Sequence, residues 1–137
     1  MTFNPKSYLA FDVETSGIQP EFALQPWRAP TDAWLSSIAY QHGDQKKVIL
    51  SPTKDDIRKM LSYALDNDLT LLAWNSTFDV AWLIAYGFDD EVHRLKHADG
   101  MLLHKHLHNS PGHTISHGLK ATVKAYYPDE ALSLIHI

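Results

Sequence analysis

Two acidic residues draw attention because they occupy positions where strands rarely place them. Asp12 and Glu14 follow Phe11 at the end of a strand-like segment whose polarity alternates from Ser7 to Val13. Asp and Glu are depleted in strands, and a two-residue period would place this pair on one face, about 6.5–7 Å apart along the chain. Carboxylates that close repel each other unless a cation lies between them, and hard divalent ions such as Mg²⁺ or Mn²⁺ take oxygen ligands. The structural alternative is a strand that frays into a polar turn at Asp12.

A third carboxylate follows a second apolar segment. Residues 70–74 predict a short buried strand, and the next residues lead into a mostly apolar helix that contains Asp79 in its first turn. Sites form at strand ends in α/β sheets, so Asp79 would lie near Asp12 if the two strands are neighbours. Ser76 and Asp79 also have the spacing of a capping box, in which the acidic side chain stabilises the start of the helix. Both roles are compatible with the pattern.

The remaining elements predict how these carboxylates would be held. Residues 15–31 contain Gly and several Pro and predict a long loop. A hairpin over 34–41 and 47–50 and a helix with Thr53 as its N-cap come next. A later strand ends at Asp99, followed by helices to about residue 108 and over 116–127. A strand meander followed by alternating strands and helices predicts an α/β fold, with a mixed β-sheet flanked by helices.

Composition narrows the class of protein. The chain has 137 residues, 45% of them hydrophobic and 20% charged, which is typical of one globular domain. The absence of cysteine excludes a disulfide framework, a thiolate zinc site and a cysteine nucleophile. No apolar run approaches the roughly 20 residues of a membrane span, so we expect a cytoplasmic protein with no membrane partner. A net charge of −4 excludes nucleic-acid binding through bulk positive charge, but not a nuclease with metal-binding carboxylates.

Four short blocks of the sequence carry a resemblance to a known family. They are Phe-Asp-x-Glu-Thr at 11–15, Trp-Asn-x-x-Phe-Asp at 74–79, Asp-x-Met-Leu at 99–102 and His-Gly-Leu-Lys at 117–120. These blocks resemble the motifs of the DnaQ-like (DEDD) 3′–5′ exonucleases, and most closely those of the proofreading domain of family A, polymerase I-like DNA polymerases. The resemblance covers about residues 7–130. It implies a ribonuclease-H-like fold, removal of nucleotides from the 3′ end of single-stranded DNA, and a polymerase domain C-terminal to this one.

The resemblance also implies roles for individual residues. Two Mg²⁺ or Mn²⁺ ions would activate water and stabilise the leaving 3′ oxygen. The catalytic residues and metal ligands would be Asp12, Glu14 and Asp79. The residues that contact the terminal nucleotide or shape the pocket for the 3′ end would be Thr15, Ile18, Asn75 and Phe78.

The sequence departs from the family at its third motif, a Tyr or His followed by an Asp. Nothing after the last predicted helix fits that pattern. We therefore expect residues 1–131 to be an exonuclease domain that is incomplete at its C-terminus and lacks the fourth metal carboxylate. Residues 132–137, Leu-Ser-Leu-Ile-His-Ile, are expected to be a non-native tail. Whether the chain is active without the third motif stays open.

Three alternatives remain open. One is a stand-alone DnaQ-like exonuclease or oligoribonuclease, because no short motif distinguishes DNA from RNA substrates. Another is a His-rich module that binds zinc or nickel and has no nuclease role, since His104 and His108, like His113 and His117, have the helical spacing of a metal-binding pair. The last is a degenerate nuclease fold that serves only as a structural or binding part of a larger polymerase.

Overall fold

Five strands form a single mixed sheet in the computed structural model, which describes residues 4–101. The strands are β1 (Tyr8–Gly17), β2 (Ala33–His42), β3 (Gln45–Leu50), β4 (Thr70–Ala73) and β5 (Lys96–Asp99). Their order across the sheet is β3-β2-β1-β4-β5. β2 is antiparallel to β1 and β3, whereas β1, β4 and β5 are mutually parallel. The carboxyl ends of these three parallel strands therefore meet at one edge of the sheet.

Three α-helices accompany the sheet within the described residues: α1 (Lys54–Asp66), α2 (Ser76–Ala85) and α3 (Asp89–Arg94). At the start of α1 the Thr53 hydroxyl accepts a hydrogen bond from the Asp56 N–H at 3.2 Å, and the Asp56 carboxylate accepts one from the Thr53 N–H at 2.8 Å. This reciprocal capping box confirms the predicted N-cap. The α/β class and the mixed sheet flanked by helices are confirmed as well.

One face of β1 packs in the hydrophobic core, and the other face is available for a functional site. Alternate residues of β1, namely Leu9, Phe11 and Val13, are buried in one cluster with the apolar faces of α1 and α2. Trp82 of α2 is fully buried in the same cluster. Because successive side chains of a strand point to opposite faces, the residues between these three lie on the other face of the sheet.

A β-bulge interrupts the pairing of β1 with β2 beside the acidic pair. Glu14 is opposite Ser37, but Thr15 is opposite Leu35, so β2 contains an extra residue at this point. The backbone N–H of Leu35 donates a hydrogen bond to the hydroxyl of Tyr86, at 2.8 Å. Tyr86 is the C-cap residue of α2 and is buried. The bulge is therefore bonded to the far end of the helix that carries Asp79.

The structure differs from the sequence prediction in several boundaries. β1 continues to Gly17, so the loop begins later than residue 15 and contains two short 3₁₀ turns, Pro20–Leu24 and Pro26–Arg28. Helix α3 was not predicted, and α2 begins at Ser76 rather than at residue 78. The predicted continuation of the helix to residue 108, the helix over 116–127, the histidine pairs and the 132–137 tail lie outside the described residues. Within residues 4–101, every helix is too short or too polar to cross a membrane.

Candidate functional site

Asp12 and Glu14 lie on the exposed face of β1. Val13 between them is 6% exposed and belongs to the core, whereas both acidic side chains are exposed. Regular pairing continues through them, with Asp12 opposite Ala39 and Glu14 opposite Ser37. The prediction that the two carboxylates share one face of a strand is confirmed, and the alternative of a strand that frays at Asp12 is wrong.

Asp79 is the buried member of the cluster. It lies in the first turn of α2, is 3% exposed, and is the one buried charged residue in the range 4–101. Its Oδ2 atom is buried and has no hydrogen-bond partner among those residues. A buried carboxylate without a partner is costly and is stabilised by a proton or by a nearby cation. The sequence prediction placed Asp79 near Asp12, and the effect of Asp12 on its pKa supports that proximity.

The electrostatics of the cluster disfavour several negative charges at once. Burial, and then the charges of Asp12, Asp99 and Glu14 in that order, raise the pKa of Asp79 to about 8. Partial desolvation and then the charge of Glu14 raise the pKa of Asp12, against a lowering by a hydrogen bond from the Val13 backbone N–H. Near neutral pH this group of carboxylates holds a proton that a divalent cation would displace.

A fourth carboxylate, Asp99 at the end of β5, holds the turn before α2. Its Oδ1 accepts hydrogen bonds from the backbone N–H groups of Asn75, at 3.2 Å, and Met101, at 2.9 Å. Its Oδ2 accepts one from the Ser76 N–H, at 2.8 Å. Asp99 thereby satisfies two amides at the start of α2 that have no partner inside the helix.

The capping box expected between Ser76 and Asp79 is not formed. The N-cap of α2 is Asn75, whose backbone is left-handed with φ 60° and ψ 61° and whose side chain makes no capping hydrogen bond. Asn tolerates this conformation better than most residues do. Because Asp99 instead accepts the hydrogen bonds of the first helix amides, the Asp79 carboxyl is not used for capping and remains available to the candidate site.

The other predicted substrate-binding residues fall into two groups around the carboxylates. Asn75 and Phe78 are at the start of α2, where the partly buried Phe78 ring packs edge-on against Trp82 with ring centroids 6.3 Å apart. Thr15 and Ile18 are at the end of β1. The Thr15 hydroxyl donates a hydrogen bond to the Ala23 carbonyl at 2.6 Å, so its hydrogen atom is engaged within the protein.

Exposed apolar side chains project from the end of β1 and from the 3₁₀ turns that follow it. Ile18 is 66% exposed although its backbone N–H is fixed by a hydrogen bond to the Asp32 carbonyl at 2.9 Å. Leu24 and Trp27 are 71% and 73% exposed. Arg28 lies over the Phe22 ring at 3.7 Å from its centroid, which holds the turns against each other. We call Ile18, Leu24 and Trp27 the apolar ridge.

The donor set has the right chemistry for a hard divalent cation, because every candidate ligand is a carboxylate oxygen. One of these oxygens, Asp79 Oδ2, is buried and has no partner in the part of the chain that the structure describes. The distances between these side chains fit a metal site less well than their chemistry does. Across residues 4–101, no group of three or more His, Asp or Glu side chains is close enough together to hold a metal ion. Metal binding at Asp12, Glu14 and Asp79 would thus require the side chains to draw together around the ion.

The sequence reasoning missed the structural contribution of Asp99, although that residue appears in one of the similar blocks. The signal was available, because Asp99 is the last residue of a short strand and carboxyl ends of parallel strands converge at one edge. Comparison with known proteins adds no assignment, since no protein-family model matches the sequence and no curated protein matches it.

Proposed function

We propose that this chain is a metal-dependent 3′–5′ exonuclease domain with a DnaQ-like, ribonuclease-H-like fold, acting on the 3′ end of single-stranded DNA. The observation that carries the proposal is the buried carboxyl of Asp79, whose Oδ2 has no hydrogen-bond partner within residues 4–101, beside two exposed carboxylates on the central strand of the sheet. We further propose that it is the cytoplasmic proofreading domain of a family A DNA polymerase, with the polymerase domain C-terminal to it.

Asp12, Glu14 and Asp79 would hold Mg²⁺ or Mn²⁺. Bound there, the ions would acidify water and compensate the charge that develops on the phosphate during in-line attack. The three carboxylates differ in burial, and their proposed roles differ accordingly. Asp12 and Glu14 face solvent and are open to an incoming strand, whereas Asp79 is enclosed and anchors the group to the body of the protein.

Electrostatics favours a metal-dependent rather than a metal-free nuclease. A phosphodiester approaching Asp12, Glu14, Asp79 and Asp99 meets like charges, and the whole chain is acidic, with a net charge of −4. Divalent cations held by these carboxylates would offset this repulsion. The proposed reaction consequently depends on the metal for substrate binding as well as for chemistry.

The apolar ridge supports a single-stranded substrate. Unpaired bases stack on apolar and aromatic side chains without regard to sequence, and Ile18 lies just beyond the β1 segment that carries Glu14. Trp27 offers a larger exposed face in the same region of the chain. Base contacts of this kind suit an enzyme that removes any nucleotide from an end.

The direct test is trimming of a 5′-labelled single-stranded DNA oligonucleotide by the purified chain in the presence of Mn²⁺. Asp12→Ala is expected to abolish trimming while leaving the fold intact, as judged by circular dichroism. Asp44→Ala, in the turn between β2 and β3, is the matched control and is expected to trim at the wild-type rate. Undiminished trimming by Asp12→Ala would overturn the proposal, and a labelled RNA of the same length distinguishes the oligoribonuclease alternative.

A further inference from the structure

We propose that Asp99 is a positioning residue for this site: it fixes the start of α2 and, through it, the placement of Asp79 and Asn75. The inference rests on the proposed function and assigns Asp99 a role that involves no contact with substrate. Its basis is the set of hydrogen bonds that the Asp99 carboxylate accepts from the backbone N–H groups of Asn75, Ser76 and Met101.

The three hydrogen bonds join separate parts of the site. Two come from Asn75, at the end of the turn between β4 and α2, and from Ser76, the first residue of α2. The third comes from Met101, two residues beyond Asp99, and fixes the carboxylate relative to its own backbone. Since an ionised carboxylate forms stronger hydrogen bonds with N–H donors than a neutral acceptor does, this arrangement holds the turn more firmly than an amide would.

Asp99 is itself held in register by the sheet. It pairs with Ala73 at the end of the parallel β4–β5 ladder. A Cβ atom at the next residue, Gly100, would lie 2.9 Å from Cε3 of Trp74, so the Trp74 ring packs directly against the chain where it leaves β5. The Asp99 carboxylate consequently has a fixed position at the edge of the sheet, and its hydrogen bonds determine where α2 begins.

The turn needs such a fixed point because its backbone is unusual. Asn75 has φ 60°, in the left-handed region that non-glycine residues seldom adopt. Conformations of this kind persist where the surroundings over-determine them, and they cluster at functional sites. Without Asp99, the N–H groups of Asn75 and Ser76 would have to find other partners, and the first turn of α2, which carries Asp79, would be free to shift.

The test compares Asp99→Asn with the wild-type chain and with Asp90→Asn. The Asn side chain has the shape of Asp but turns one oxygen into an NH₂ group, which would face a backbone N–H donor to donor. Asp90 is the matched control because its carboxylate is 77% exposed and pairs with Arg94 on α3 at 3.2 Å. The measurements are Mn²⁺ affinity by isothermal titration calorimetry, kcat for trimming at saturating Mn²⁺, and hydrogen exchange of the Ser76 amide.

Asp99→Asn is expected to bind Mn²⁺ about 10- to 100-fold more weakly, the usual effect of removing a residue that orients metal ligands. Its kcat should fall in parallel, and the Ser76 amide should exchange faster, while Asp90→Asn matches wild type in all three. A residue with a purely structural role would lower the melting temperature without changing the Mn²⁺ affinity of the folded protein. Wild-type Mn²⁺ affinity in folded Asp99→Asn would therefore overturn the proposal.

A second variant covers the case in which Asp99→Asn does not fold. The hydroxyl of Asp99→Ser can accept a hydrogen bond from one of the N–H groups, so this variant is expected to fold. Its Mn²⁺ affinity is expected to lie between those of wild type and Asp99→Asn. Wild-type affinity in Asp99→Ser would equally contradict the role. A wild-type chain that neither binds Mn²⁺ nor trims DNA overturns the proposed function itself, whereas loss confined to the Asp99 variants supports both.

Discussion

The hydroxyl of Tyr86 accepts a hydrogen bond from the backbone N–H of Leu35, over 2.8 Å and across the interior of the protein. Leu35 lies at the β-bulge opposite the point where the pairing of Glu14 and Thr15 shifts register. Tyr86 ends the helix whose first turn carries Asp79. One buried hydrogen bond thus joins α2, which carries Asp79, to β2, the strand that pairs with the Asp12 and Glu14 segment of β1. It lies at the helix end opposite to the one held by Asp99.

Removing this hydroxyl is expected to destabilise the protein. In Tyr86→Phe the ring still fills its place, but the buried Leu35 N–H loses its acceptor, which costs about 1–3 kcal/mol. Urea denaturation monitored by circular dichroism measures the change in the free energy of unfolding. Tyr63→Phe is the matched control, because the hydrogen bond between its hydroxyl and the His42 ring is exposed and its loss should cost less. Equal stability of Tyr86→Phe and wild type would contradict a structural role for the bond.

Stability should fall as the pH rises from the pKa of Asp79 in the unfolded state to its pKa in the folded state. The folded-state pKa of about 8 lies above the unfolded value of about 3.9, so the folded state binds more protons in between. The destabilisation is absent below about pH 4, grows as the pH rises, and is complete above about pH 8. Its slope is at most about 1.4 kcal/mol per pH unit.

Asp79→Asn tests this origin, because its amide resembles the protonated acid in shape and carries no charge. The variant should be more stable than wild type at pH 8, and the difference should shrink at pH 5. Urea denaturation at pH 5 and at pH 8, without added metal, measures the free energy of unfolding of wild type and of Asp79→Asn. A wild-type chain that is as stable at pH 8 as at pH 5, with Asp79→Asn unchanged, would show that Asp79 titrates normally.

The turn after β1 should not tolerate a side chain at Gly17. A Cβ atom there would lie 2.5 Å from Cβ of Phe22 and 3.0 Å from the Gln19 carbonyl oxygen. Gly17→Ala is expected to lower the free energy of unfolding by about 1–3 kcal/mol through overpacking. Gly43→Ala is an instructive comparison because a Cβ at Gly43 meets nothing within 4 Å, so its cost comes only from a φ of 59°. Wild-type stability of Gly17→Ala would mean that the turn can shift freely.

The apolar ridge should contribute to substrate binding. Trp27→Ala is expected to raise KM for single-stranded DNA by roughly tenfold or more, since stacking on an aromatic side chain is worth about 1–3 kcal/mol per base. Leu50→Ala serves as a control, because Leu50 is 77% exposed on the edge strand β3. Steady-state kinetics on the labelled oligonucleotide separates KM from kcat. A KM equal to wild type in Trp27→Ala would exclude the ridge from the substrate path.

The periodic elements of the fold were predictable from the sequence because their patterns are set by local physics. The alternation of β1, the hairpin of β2 and β3, and the Thr53 cap of α1 all follow from residue spacing. The extension of β1 to Gly17 was missed because Thr15, Ser16 and Gly17 are polar or small. Pairing with β2 holds them in the strand, and this is a tertiary effect that a single strand does not encode.

The candidate site, like the fold, was predictable from the sequence where local spacing determines the structure and not where tertiary contacts do. The spacing of Asp12 and Glu14 was enough to place them on one face, since the period of a strand is fixed. The cap of α2 was predicted wrongly because Ser76 and Asp79 fit a local pattern, whereas the group that bonds the first amides, Asp99, comes from a neighbouring strand. The burial of Asp79 likewise depends on how α2 packs against the sheet, which no local spacing reveals.

The central claim is that Asp12, Glu14 and Asp79 bind a divalent metal, and calorimetric titration of the whole 137-residue chain with Mn²⁺ at pH 8 tests it most directly. The account predicts saturable binding that Asp79→Asn abolishes and Asp66→Asn, at the exposed end of α1, leaves unchanged. Absence of Mn²⁺ binding by the wild-type chain, or equal binding by wild type and Asp79→Asn, would contradict it.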